Sequence, residues 1–239
     1  TNAEGTFCHK PCTVSGGGKS EISKSLSDAM EEGPVIMPRF EQDMFLVEQL
    51  LQQAVTDQSV SSTVSQQFAH LIKRILTRPS YLLMLSKEQY LLQKLLQVLD
   101  RHSYFSEVLQ QHPVLLEQLF DEQPFELMDQ SALSTQWLKK APEGDYEQWM
   151  EQIRQFKLEV EFNTIKAWSD KGITGDQACW QLTQLAASIT RHVVVQCWHE
   201  INDRIPAGEL KPDDLVVIAY GSAAENRMSI HSDLDLVFF

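Results

Sequence analysis

Two carboxylates at alternate positions close this chain, in Ser232-Asp233-Leu234-Asp235-Leu236, nine residues after Tyr220-Gly221-Ser222. Side chains alternate faces along a strand, so on a strand Asp233 and Asp235 point the same way while Leu234 and Leu236 point into the core. Carboxylates held on one face repel unless a cation sits between them. A divalent metal suits them, and Mg²⁺ carrying nucleotide phosphates matches carboxylate oxygens best. Glycine at 221 lets backbone approach a ligand closely, and Ser222 offers an N–H and a hydroxyl to a phosphate. The alternative for the same residues is a solvated strand edge.

The elements that must position these groups are legible nearby. Leu215–Ala219 (Leu-Val-Val-Ile-Ala) is a continuous apolar run of the kind that makes a buried strand, and Leu236–Phe239 is a second. Strand, Gly-Ser, spacer, Ser-Asp-x-Asp and strand together resemble the nucleotidyltransferase superfamily typified by DNA polymerase β. Its signature is Gly-Ser, a spacer and Asp-x-Asp.

Other reactive residues do not assemble into sites. Cys8-His9-Lys10-Pro11-Cys12 lacks a second Cys/His pair at zinc spacing, and so reads as free thiols. Gly18-Lys19-Ser20 resembles the end of a phosphate-binding loop, but Thr13 stands where its first glycine belongs and no strand precedes it. His192 and His199 have no ligand partner three or four residues away, which makes them structural or surface histidines.

Bulk properties narrow the partners. The chain has 239 residues, enough for one large or two small domains, and a net charge of −13. No basic run is present, which argues against a nucleic-acid partner, because phosphate contacts need clustered Lys and Arg. The acidic balance reads as a solvated helical surface. No stretch reaches the ~18 apolar residues of a membrane span, and no signal peptide is visible. Cys8, Cys12, Cys179 and Cys197 are too few for a disulfide framework, so a reducing cytoplasm is expected.

Helical periodicity dominates the middle of the chain. Residues 1–38 are rich in Gly, Ser, Thr and Pro and read as poorly ordered. From about 41 to 204 the apolar residues recur at helical spacing. One group is Met44, Val47, Leu50, Leu51 and Ala54, and a second is Val64, Phe68, Leu71, Ile72 and Ile75, ended by Arg78-Pro79. A third runs from Leu91 to Leu99, and Pro113 suits the first turn of a helix carrying Leu115, Leu116 and Leu119. A helix from Tyr146 to about Ser169 places Trp149, Ile153, Phe156, Val160 and Ile165 on one face. Thr174-Gly175-Asp176-Gln177 reads as a capping box for the next helix. Its stripe of Ala178, Leu182, Leu185, Ile189, Val193, Cys197 and Ile201 is expected to be core, and to about Asn202 it would span ~40 Å. Ile205-Pro206-Ala207-Gly208 breaks the helical region.

The order of elements sharpens the resemblance. Pro79-Ser80-Tyr81-Leu82, the leucines of 91–99, Ser103-Tyr104-Phe105 and Gln111-His112-Pro113-Val114-Leu115-Leu116-Glu117-Gln118-Leu119-Phe120-Asp121 are similar to one family. It is that of the bifunctional glutamine synthetase adenylyltransferase/adenylyl-removing enzyme, where a His-Pro-Leu-Leu segment precedes the second nucleotidyltransferase domain. Ile153-Arg154-Gln155-Phe156-Lys157 resembles the family's Leu-Arg-Arg-Phe-Lys, and the likeness covers roughly residues 60–239. After the tyrosine the family reads Gly-Lys-Leu-Gly-Gly-x-Glu-Leu, whereas this chain has Gly221-Ser222-Ala223-Ala224-Glu225-Asn226-Arg227-Met228. Arg227 is either a substitute for the family's lysine charge or a surface arginine.

The resemblance implies a mainly α chain, a multi-helix bundle followed by the first strands of an α/β nucleotidyltransferase core of DNA polymerase β type, truncated. Its divisions would be a poorly ordered segment over 1–38, a helical regulatory or linker domain over 39–205, and the start of the nucleotidyltransferase domain over 206–239. It implies that Asp233 and Asp235 hold Mg²⁺ as the catalytic carboxylates, with Gly221, Ser222 and Ser232 binding the nucleotide. AMP would pass from ATP to a tyrosine of glutamine synthetase, with the PII signal protein and glutamine as effectors. A third carboxylate belongs on a later strand in that superfamily, so this polypeptide alone is expected to be inactive. A helical interaction module without chemistry, and a nucleotidyltransferase with another acceptor, are the competing readings.

Overall fold

The computed structural model describes residues 49–50, 61–76, 78–141, 145–201, 211 and 214–239. The segment over 1–38 with its cysteine pair and Gly18-Lys19-Ser20, most of the helix expected around Met44–Ala54, and the break at 205–208 lie outside them. The fold is mainly helical, with one small antiparallel sheet near the C-terminal end. The chain divides into two compact units, Thr1–Asp121 and Glu122–Phe239.

The described part of the first unit is a cluster of helices. Helix α1 (Ser62–Ile75) starts where the Ser61 hydroxyl accepts the Val64 N–H, and its predicted face is buried, with Phe68, Leu71 and Ile75 at 0% exposure. Pro79 opens α2 (Pro79–Lys87), since its fixed φ suits a first turn and its missing N–H costs nothing there. Helices α3 (Gln89–Arg101), α4 (Ser103–Gln111) and α5 (Leu115–Phe120) follow after short breaks. Helix α1 packs on α2, α3 and α4. The Tyr81 hydroxyl donates to Glu117 Oε1 at 2.8 Å, joining α2 to α5, and burial together with that carboxylate raises the phenol's pKa.

In the second unit α6 (Gln130–Lys140), α7 (Tyr146–Ser169) and α8 (Gly175–Ile201) pack against one another. Each start is fixed by a local cap: Asp129 accepts from Ala132 N, and Asp145 accepts from Glu147 N. The capping box before α8 forms reciprocally, with Gln177 N donating to the Thr174 hydroxyl (3.2 Å) and Thr174 N to Gln177 Oε1 (2.8 Å). The shared core holds Leu133, Trp137, Trp149, Ile153, Phe156, Val160 and Leu185. Trp137 meets Trp149 edge-on, with ring centroids 5.8 Å apart.

The stripe on α8 is core over only part of its length. Ala178, Leu182 and Leu185 are buried, Ile189 and Val193 partly so, while Cys197 and Ile201 are exposed. Periodicity records which face is apolar, but burial needs a neighbour, and the described neighbours serve the first turns.

Polar side chains then zip the stretch before α6 onto α8. Gln181, fully buried, accepts from Met128 N (2.7 Å) and donates to Met128 O (3.1 Å), so one amide satisfies both backbone groups of a non-helical residue. Gln184 accepts from Gln130 N, and the Ser134 and Ser188 hydroxyls meet at 3.1 Å.

Candidate functional site

Strand β1 (Val217–Ala219), the single helical turn α9 (Gly221–Ala224) and strand β2 (Leu236–Phe238) carry the sequence-predicted residues. The strands pair antiparallel, with Val217 opposite Phe238, Ile218 opposite Val237 and Ala219 opposite Leu236. Backbone bonds extend the ladder at both ends, through Val216 with Phe239 and through Tyr220 N to Asp235 O at 3.0 Å. That last bond brings the end of the Asp-x-Asp segment against the start of the Gly-Ser turn. Tyr220 and Asp235 stand fifteen positions apart in the sequence, and one hydrogen bond joins them.

Gly221 has φ = +60°, the left-handed region that a side chain disfavours. A methyl group placed on it would stand 3.6 Å from Asp235 Oδ2, so this carboxylate lies directly beside the glycine. Behind it, Arg227 N donates to Ser222 O (2.9 Å) and Glu225 N to Gly221 O (3.2 Å), closing the turn on itself. Asn226 takes the other positive φ of this loop, +57°.

The second half of the motif is also closed locally. Ser229 N donates to Ser232 Oγ at 2.8 Å, and the two hydroxyls meet at 3.1 Å. Ser232 Oγ therefore has a structural task immediately before Asp233. Asp233 and Asp235 are both exposed, in extended backbone just ahead of β2 rather than within it.

Two expectations about the strands need correction. Leu215–Ala219 was expected to be a buried strand, yet Val216 and Ile218 are 54% and 40% exposed. Residues of α8, the strand residues Val217, Ala219 and Leu236, and Leu234 just ahead of β2 line a cavity of about 390 Å³, so α8 faces one side of the sheet only. Leu234 was expected in the core and instead borders that cavity at 41% exposure, with Leu236 partly buried.

Sequence reasoning missed Met228, the buried residue of the spacer at 6% exposure, and its contact Thr183 on α8. An apolar residue inside an otherwise polar spacer was the available signal. Arg227 is exposed and its charge is felt at Cys179 on α8. There it works against burial and Asp176, which raise that thiol's pKa. Among the described residues no group of three or more His, Cys, Asp or Glu stands close enough to hold a metal. His192 is half-buried beside Trp137, with its Nε2 unpartnered, and burial followed by Arg191 lowers its pKa.

The sequence that builds these helices and this turn has counterparts in known proteins. The sequence pattern of the glutamate-ammonia ligase adenylyltransferase family matches residues 92–239, and the chain belongs to that family. Among its curated relatives is the bifunctional glutamine synthetase adenylyltransferase/adenylyl-removing enzyme of Shewanella frigidimarina. It is 34% identical over 203 residues, which is 81% of this chain and 21% of the relative. The same-named proteins of Shewanella loihica (34% over 177 residues, 70% of this chain and 18% of the relative) and Vibrio parahaemolyticus (32% over 178 residues, 71% and 19%) are similar. The chain thus spans about a fifth of the relatives' length. Among the described residues no helix is long and apolar enough to cross a membrane.

Proposed function

We propose that this chain carries helical regulatory structure and the opening of a nucleotidyl-transfer centre that moves AMP from ATP to a tyrosine of glutamine synthetase. Family membership and the names of the relatives support the reading. The observation that carries it is the apposition of Gly221, in its left-handed conformation, with Asp235 Oδ2.

In this reading the Gly221–Ser222 backbone approaches the triphosphate, and the Ser222 hydroxyl and N–H donate to its oxygens. Asp233 and Asp235 fit Mg²⁺, since that ion takes one or two carboxylates and fills its octahedron with phosphate oxygens and water. When bound, the metal would neutralise charge building on the phosphoryl group. The acceptor tyrosine oxygen attacks the α-phosphorus in line, the bond from that phosphorus to the β-phosphate oxygen breaks, and pyrophosphate leaves. The phenolic proton passes to a base or to solvent. PII signal protein and glutamine act as effectors on the helical part.

The test uses the full-length protein with α-labelled ATP, Mg²⁺ and glutamine synthetase. Asp233→Asn and Asp235→Asn should each lower label transfer at least ~100-fold, because each removes charge from the metal site. Full transfer by both variants overturns the two-carboxylate role.

A further inference from the structure

We propose that Thr183, on α8, is a positioning residue for the nucleotide turn, holding both halves of the motif through the backbone of Met228. This deepens the adenylyl-transfer reading and rests on it.

Met228 sits midway along the spacer and is 6% exposed, so its N–H is shut off from water and requires a partner. It donates to Thr183 Oγ1 at 3.3 Å, and Thr183 is itself 6% exposed. The hydroxyl's own hydrogen goes to Cys179 O at 2.9 Å. That bond fixes the rotor and leaves a lone pair for Met228. On one side of Met228, Arg227 N returns to Ser222 O; on the other, Ser229 N returns to Ser232 Oγ, next to Asp233. One hydroxyl on a long, well-packed helix therefore restrains a segment whose two ends carry the phosphate turn and the carboxylates. Removing it leaves a buried N–H unsatisfied and frees the spacer to shift, and displacement of about 1 Å can cost roughly 100-fold in rate.

Thr183→Val keeps the side chain's shape and removes the hydroxyl; Thr183→Ser keeps the hydroxyl. In the full-length protein, Thr183→Val should speed amide exchange at Met228 at least ~10-fold and lower kcat for AMP transfer by about the same factor. KM for glutamine synthetase should stay unchanged, and Thr183→Ser should restore both exchange protection and kcat. A merely structural threonine would move melting temperature without this kcat-against-KM split. Wild-type exchange at Met228 in Thr183→Val overturns the tie, and wild-type kcat with faster exchange overturns its catalytic part. Absence of transfer by the wild-type protein overturns the functional reading instead, while the exchange arm still decides the tie.

Discussion

Within the second unit, the three-helix layer and the sheet that follows it are held together in different ways. The helices share an apolar core centred on Trp137, with Leu133 at 0% and Phe156 at 2% exposure. From Lys211 onward, Met228 is the one buried hydrophobic residue among those described. The sheet residues are positioned mainly by hydrogen bonds: the short ladder, the closed turns at 221–227 and 229–232, and the tie to Thr183. Apolar burial is strong but non-directional, whereas hydrogen bonds fix geometry at small net energy. The Gly-Ser turn is thus held by directed bonds rather than by buried mass.

Substitutions can break or sharpen this contrast. Trp137→Ala should cost most, about 3–5 kcal/mol, seen as a lower denaturant midpoint with loss of helical signal. An unchanged midpoint would mean that the helical layer does not depend on its aromatic centre. Gln181→Leu comes next, at roughly 2–4 kcal/mol, because it strands the N–H and C=O of the partly buried Met128, where a fully buried group without a partner costs about 1–3 kcal/mol. Gly221→Ala should cost only about 1–2 kcal/mol, since the methyl finds ordinary van der Waals space and the penalty is the left-handed backbone. Its effect on AMP transfer should far exceed its effect on the melting temperature, the reverse of Trp137→Ala. Thr174→Ala removes half of an exposed capping box and should lower stability by about 0.5–1 kcal/mol.

The smallest effect concerns pH. Burial lowers the His192 pKa in the folded state below its usual 6.5. The unfolded chain therefore binds the proton more readily, so the histidine's contribution is present above pH ~6.5 and is lost as pH falls through the folded pKa. His192→Gln should flatten the fall in melting temperature between pH 7 and pH 5 by about a degree or two. An identical slope in the variant would assign the acid sensitivity to other groups.

Much of the fold was legible because its signals are local. The α7 face, the Thr174–Gln177 box and the end of α1 ahead of Arg78-Pro79 depend on residues within one or two turns, and all appear as the spacing predicts. Helix α6 gave no such signal: its apolar residues are few, and Trp137 matters only because α7 brings Trp149 and Phe156 to it. Likewise the stripe on α8 reads as continuous to Ile201, although burial stops near Val193.

By itself the sequence determined the helical class, the caps, and the Gly-Ser and Asp-x-Asp pieces of the motif, because side-chain periodicity and turn chemistry act over a few residues. Only the tertiary structure decided that Asp235 lies beside Gly221, that one face of the sheet looks to α8, and that Thr183 meets Met228. Those relations join residues 14 to 45 positions apart. They follow from strand register and from which buried N–H finds which hydroxyl, and no local spacing encodes that choice.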